Sequence, residues 1–460
     1  MRIITLLTSL LISTAMADKL TLTATGLPAG WQAKATVGKT QVSFPTAQTL
    51  TLTSGTYTVT PSAVTDGRKV YVAKPVKIDV KGNVAAKISY TKLPPGSPDP
   101  FFGRGGVVTV QTPGLDTWDS WTLKSSGAGL PILIGAGTFD RQKQQLVTLN
   151  GTLLGPVTAM TRLNRDVGSG YITTPLIKDG DGFLAGLSYT QGTVVRYTAQ
   201  GQLDPNWRTT PGLINPTLGL LRVPDGGVVA YGGNGAPTIW KLNGQGVADT
   251  QFGQGGVLSL AGLDAGMATL GEVVAARVMG GGTMRAVVVQ DQRLMLVNIT
   301  AAGQPTVIAP SIELPMPFQQ HSGGFEVRDV VLQADGSALI LVTDLTSKRA
   351  QLLRITAEGR LDNQFKSSLL ADVSRVVGLA VQQDGKIIAA INRAQGQVLR
   401  FNTDGSPDRS FGADGTVKLT APLAAVEVAT DGKIKTVEYE LATPLAAETA
   451  YVRITQLLAE

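Results

Sequence analysis

Ala380-Val381-Gln382-Gln383-Asp384-Gly385-Lys386-Ile387-Ile388-Ala389 is the stretch from which the rest of the chain can be read. Apolar residues alternate on both sides of an Asp-Gly pair. Asp-Gly between two alternating runs is a tight hairpin signal. Two more short runs follow, so this unit holds four strands, at 376–383, 386–392, 397–402 and 415–419. The line Val398-Leu399-Arg400-Phe401-Asn402-Thr403-Asp404-Gly405-Ser406-Pro407-Asp408 lies between the third and fourth of them, and Phe411-Gly412 leads into the fourth.

That line recurs at 194–204, 239–249 and 352–362, with degenerate copies at 146–155, 297–303 and 451–455, which makes seven. The Asp-Gly turn recurs with Asp181, Asp225, Asp335, Asp384 and Asp431, in steps of 44, 110, 49 and 47 residues. The long step spans two units, and Gly280-Gly281-Gly282 stands where the missing turn belongs. Repeats of four strands at this period are blades of a β-propeller. Trp207 occupies the place of Phe252, Phe365 and Phe411, which marks it as a packing residue.

The run from Ala380 through Arg400-Phe401-Asn402-Thr403-Asp404-Gly405 to Phe411-Gly412 resembles the delta-60 repeat of secreted bacterial β-propellers. The likeness is good in the sixth, fifth and third units and poor in the first and fourth. It implies a propeller fold and export, and little agreed chemistry. The last unit lacks an outer strand, while Phe102-Gly103-Arg104-Gly105-Gly106-Val107 stands alone ahead of the first unit. Residues 106–110 are therefore expected to pair with 450–457, since such closure removes two free sheet edges. The expected fold is all-β: a seven-bladed β-propeller over 100–460, closed by an N-terminal strand.

Ahead of it, residues 1–17 hold one Arg, an apolar run and Ala15-Met16-Ala17, the pattern of a cleavable signal peptide. No Cys follows for a lipid anchor, and the run is too short to span a bilayer. Residues 18–93 alternate with period two in Thr and Val, and Gly55, Asp66-Gly67 and Lys81-Gly82-Asn83 supply turns. Six or seven short strands there give a small β-sandwich. Gly55-Thr56-Tyr57-Thr58-Val59 resembles the hairpin of PEGA-like surface modules. Three prolines and a glycine within 93–98 read as a stiff linker over 94–99.

Charge separates the two parts. Residues 18–96 carry ten Lys/Arg and three Asp, whereas 97–460 carry 29 basic and 31 acidic residues. A basic module on an exported chain suits an anionic wall polymer or lipid surface. Lysines spread singly along strands also guard sheet edges, and that is the plainer reading. Their spacing argues against nucleic acid.

Composition removes much chemistry. There is no Cys and one His, His321, so disulfides, thiolate or multi-His metal sites and a cysteine nucleophile are excluded. Asp179-Gly180-Asp181-Gly182 resembles part of a calcium loop, but a strand-like Phe183-Leu184-Ala185 follows where further ligands are needed. It reads as a hairpin turn. No catalytic set, metal site or cofactor is assigned. Trp118, Arg162, Arg165, Asp166 and His321 are the candidate ligand-binding residues, on one propeller face. Trp118 has no repeat partner, and the others fall in the two longest connections, 161–170 and 315–325. The expected function is that of an exported, monomeric, non-enzymatic scaffold or binding protein of the bacterial cell envelope or exterior. Its partner is a cell-wall glycan or another envelope protein. A polysaccharide-active hydrolase or lyase is the alternative.

Overall fold

The computed structural model describes residues 17–113, 120–124, 132–138, 141–147, 153–159, 171–172, 174, 176–188, 193–208, 217–233, 236–264, 271–290, 293–314, 330–344, 348–366, 368–440 and 449–460. The described residues contain no α-helix; one 3-10 turn forms at Gly280–Gly282. No helix among them is long and apolar enough to cross a membrane. The chain divides into two compact units, Met1–Pro94 with Glu460, and Pro95–Ala459.

In the first unit one sheet runs Ala47–Leu52, Asp18–Thr25, Asn83–Ser89, and a second runs Thr40–Phe44, Ala33–Val37, Gly55–Pro61, Val76–Val80. Successive side chains of a strand face opposite sides. Leu20 and Leu22 are accordingly buried while Lys19 and Thr23 are exposed. Leu20, Leu22 and Ile88 from the first sheet share one core with Val37, Val59 and Val80 from the second. A third, small sheet runs Thr91–Lys92, Val70–Val72, Val64–Thr65, so the unit holds more strands than the alternation predicts.

In the second unit, seven sheets are present among the described residues. The sixth runs Arg375–Val381, Ile387–Asn392, Gly396–Phe401, Thr416–Lys418, within a residue or two of the predicted strands. The Asp-Gly pairs sit between first and second strands. In four of these turns the Asp Oδ1 accepts the N–H two residues on, at Gly227, Ser337, Lys386 and Lys433. Asp-Gly recurs because Asp caps this turn and Gly supplies a positive φ, 83° at Gly385. Asp179 pairs with Gly182 across a shorter, two-residue turn, a hairpin as read from the sequence, with the positive φ at Gly180.

From the second sheet to the seventh, apolar residues of adjoining sheets pack together. Val229 and Ile239 of the third sheet meet Val288 and Val297 of the fourth, and Val287 and Leu296 of the fourth meet Ile340 and Leu353 of the fifth. The first strands adjoin one another in a cycle: Ser120–Lys124, the pair Tyr171–Ile172 and Ile177–Asp179, Thr217–Arg222, Glu272–Val278, Val330–Leu332, Arg375–Val381, Leu423–Val428, and back to Ser120–Lys124.

The seventh sheet runs Val107–Pro113, Thr449–Leu457, Ile434–Glu440, Leu423–Val428. Its outer strand is drawn from the other end of the sequence. Val108 faces Ile454 and Val110 faces Val452, in the pairing expected of the orphan motif.

The predicted linker over 94–99 is different in the structure. Gly412 donates to Pro95 O, Gly96 donates to Leu458 O, Leu458 donates to Ser97 O and Asp99 donates to Gln456 O. From Pro95 onward the segment is part of the second unit. Gly96-Ser97-Pro98-Asp99 repeats Gly405-Ser406-Pro407-Asp408. The backbone bonds repeat too: Asn402 donates to Ser406 O and Asp408 to Arg400 O. The repeated line is thus split in the seventh sheet, begun by Gln456-Leu457-Leu458 and finished by residues 96–99.

Candidate functional site

In the second, third, fifth and sixth sheets the recurring line uses its charges in a clasp. In the sixth, Arg400 is 1% exposed and its Nε donates to Asp408 Oδ2 at 2.7 Å. Its guanidinium lies 4.5 Å from the centre of the Phe411 ring, and Lys386 Nζ stands 3.0 Å from the same Asp408 oxygen. Burial alone would raise the Asp408 carboxyl. The Ser410 hydroxyl, Lys386 and Arg400 outweigh it and hold the group down at about 2. Arg354 repeats the arrangement with Asp362 at 2.7 Å and Phe365 at 4.8 Å. Lys241 lies between Asp225 at 2.5 Å and Asp249 at 2.8 Å. Arg196 binds Asp179, Asp181 and Asp204, so both acids of the calcium-like fragment are held by an arginine.

In the seventh sheet Gln456 replaces the arginine. Its amide donates to Asp99 Oδ2 at 2.7 Å, and Lys433 Nζ lies 2.9 Å from that oxygen. Asp99 is fully buried. Burial would raise its carboxyl, but Lys433, the Phe101 N–H and Gln456 outweigh that and keep it below its ordinary range.

The clasps lie at the end of the sheets where first and second strands are joined. A cavity of about 120 Å³ at this end is lined by Val223, Pro224, Asp225, Lys241, Met284 and Ala301. Its one ammonium is already held by two carboxylates.

The opposite end, where each first strand begins, is less uniform. The connections entering it span 371–374 and 419–422 in two cases, but 260–271 and 314–329 in others. Asn392 makes a two-way amide bond to Leu423, its Nδ2 donating to Leu423 O and its Oδ1 accepting from Leu423 N. Glu438 accepts from the Thr455 and Thr420 hydroxyls and from the Ala421 N–H.

Glu272 is the unusual group there. It opens the first strand of the fourth sheet, is 2% exposed, and its Oε1 has no hydrogen-bond partner among the described residues. It pairs with Val289, which belongs to the apolar core between the fourth and fifth sheets. Burial pushes its carboxyl up to about 7. Sequence reading missed it, because nothing local distinguishes it from a solvated strand-end Glu.

The shift has a measurable consequence. The unfolded chain ionises this group near 4.5. Between there and about 7 the folded protein keeps a proton that the unfolded chain has released, so stability falls as pH rises through the window. The full effect is about 3 kcal/mol. Glu272→Gln is therefore expected to gain on the wild type steadily across this window in urea unfolding, then hold a constant lead. A difference independent of pH would contradict the assignment.

Of the sequence-predicted site residues, Trp118 lies in 114–119, Arg162, Arg165 and Asp166 in 160–170, and His321 in 315–329. All five are outside the described residues, and so is the signal segment through residue 16. Among the described residues no cluster of acids and histidines is arranged to hold a metal ion.

A family model described as a β-propeller domain of unknown function, DUF5122, matches residues 382–411. A search of curated proteins finds no match. Among solved structures, the chain is similar to BamB from Moraxella catarrhalis, at 13% identity and TM-score 0.44, over 77% of this chain and 89% of that one. It is also similar to the WD40 domain of Toxoplasma gondii coronin, at 11% identity and TM-score 0.48, over 77% and 87%. A third similar structure is YCF48 bound to D1 peptide, at 11% identity and TM-score 0.41, over 77% and 98%. The matched family segment coincides with the Asp-Gly turn and clasp of the sixth sheet, and with those four-stranded sheets it supports an all-β protein of the β-propeller kind.

Proposed function

We propose that the chain from Pro95 onward is one seven-bladed β-propeller closed by Val107–Pro113, and that residues 18–93 are a β-sandwich module. On this reading the first 17 residues direct export. The protein then serves in the envelope or outside the cell as a non-enzymatic binding or scaffold protein of delta-60 type.

The observation that carries the reading is the contrast between the two ends of the sheets. One end repeats a single clasp, Arg or Lys on Asp, in four of the sheets, which makes a stiff frame. At the other end the connections between sheets differ in length and sequence. Binding specificity resides in such connections when a rigid frame presents them. Trp118, Arg162, Arg165, Asp166 and His321 all belong to segments that run from the last strand of one sheet to the first strand of the next.

Photo-cross-linking residues placed at 118, 165 and 321, and separately at 226 and 385 in the clasp-end turns, test this in cells. Discrete adducts are expected from the first set only, with the protein recovered outside the cytoplasm. Adducts from the turn set alone, or retention in the cytoplasm, would overturn the proposal.

A further inference from the structure

We propose that the N-terminal unit binds an acidic polysaccharide at its small sheet, where the part-exposed rings of Trp31 and Tyr71 lie near Lys69 and Lys92. The inference stands apart from the reading of the second unit and is carried by different residues.

Charge comes first. Residues 18–96 contain ten basic side chains, three aspartates and no glutamate, and every basic one is exposed. Within the unit, the described ion pairs offset two of them, Lys81 with Asp79 at 3.0 Å and Arg68 with Glu460 at 3.9 Å. The rest leave a positive field that raises the local concentration of polyanions.

The small sheet concentrates this charge beside aromatic surface. Lys92 is directly opposite Tyr71 in the ladder, so the two side chains share a face. Tyr71 and Val64, opposite each other in the ladder, pack by one side on the core of the unit, while part of the Tyr71 ring stays open and Lys92 is exposed. The Trp31 ring meets Tyr71 edge-on, with centroids 5.3 Å apart and planes at 70°, and both rings are part-exposed. Lys69 stands two residues before Tyr71. Its turn is fixed in advance, because Asp66 Oδ1 accepts the N–H groups of Arg68 at 2.9 Å and Lys69 at 2.8 Å. A fixed turn loses little freedom on binding. Part-exposed aromatic rings offer flat apolar surface to the C–H face of a sugar. Flanking ammonium groups then pair with its carboxylates.

Two features favour a hydrated polymer over a lipid surface. The exposed large apolar residues, Phe101, Val247 and Leu369, all lie outside this unit, so it presents no inserting wedge. Its outer strand faces instead carry exposed hydroxyls, such as Thr23, Thr49, Thr51, Thr56, Thr58 and Thr60.

The test uses the full chain from Asp18, with immobilised polygalacturonate as probe, neutral dextran as control, and phosphatidylglycerol vesicles as the competing surface. Retention on polygalacturonate is expected, weakening as NaCl rises, with none on dextran. Lys69→Glu with Lys92→Glu is expected to lose about tenfold in affinity. Lys34→Glu with Lys77→Glu makes the same change in net charge on the second sheet and is expected to lose about twofold or less. All four lysines are exposed, so neither double variant threatens folding. Three results would overturn the proposal: no retention on polygalacturonate, equal losses in the two double variants, or binding to vesicles without binding to the polysaccharide.

Discussion

A chain that begins at Thr112 unfolds at much lower urea than one that begins at Pro95, and it aggregates on concentration. The shorter chain loses the outer strand from Val107 through Gln111, which pairs with Tyr451 through Thr455. Thr449–Leu457 then becomes an edge with a row of unpaired backbone groups, which templates association. It also loses buried Val110 and Phe102, and the Asp99 carboxylate between Gln456 and Lys433. Two large apolar side chains and a buried charge-assisted contact sum to roughly 5 kcal/mol or more. The chain from Pro95 keeps all of these. Tryptophan fluorescence in urea and size-exclusion chromatography read the difference, and equal unfolding midpoints would contradict it.

Arg400→Met is the point substitution with the largest expected cost, about 3–5 kcal/mol, because it leaves a buried carboxylate short of its partner. Asp408 keeps only Lys386 as a cation, and Ala459 O loses the guanidinium donor that reaches it at 2.5 Å. The paired variant Arg400→Met with Asp408→Leu should recover part of the loss, since no charge is then stranded. In the wild type, Asp408's contribution is complete above the unfolded value of 3.8 and is lost as pH falls toward about 2. A single variant within 1 kcal/mol of wild type, roughly the size of a surface ion pair, would show that the clasp is not a structural element.

The strands of the sixth sheet and the Asp-Gly turns were legible because each is a local signal: alternation, a capping Asp and a positive-φ Gly. The outer strand of the seventh sheet was legible as a motif without a unit beside a unit without an outer strand. The segment 94–99 was misread as a linker because its prolines outweighed its identity with the line at 405–408. Proline suits the fold there: Pro98 bridges Leu457 as Pro407 bridges Phe401, in places where the backbone bonds are made by the flanking residues and no N–H is asked of the proline. Gln456 gave no sign of its role, because an amide stands where Arg196, Lys241, Arg354 and Arg400 put a cation. Glu272 was invisible for another reason. Its burial is set by Val289 and by the neighbouring fifth sheet, and no short window of sequence reports that. Trp118, Arg162, Arg165, Asp166 and His321 belong to connections that do not repeat, so the repeat assigns them no register.

The central claim is that the N-terminal strand completes the last sheet, and the absence of Cys in the chain makes it directly measurable. Gln456 N donates to Gly106 O, which makes 106 and 456 a hydrogen-bonded pair and 109 and 453 a non-hydrogen-bonded one. Such pairs have a Cα separation of about 4.5 Å, short enough for a disulfide. Thr109→Cys with Arg453→Cys should therefore close an intramolecular disulfide under mild oxidation. Thr21→Cys with Thr49→Cys is the control, a cross-strand pair in the first unit whose hydroxyls lie 3.1 Å apart. Loss of both free thiols in the monomer for each pair is the predicted result. Free thiols at 109 and 453 in folded protein, while the control pair closes, would contradict it.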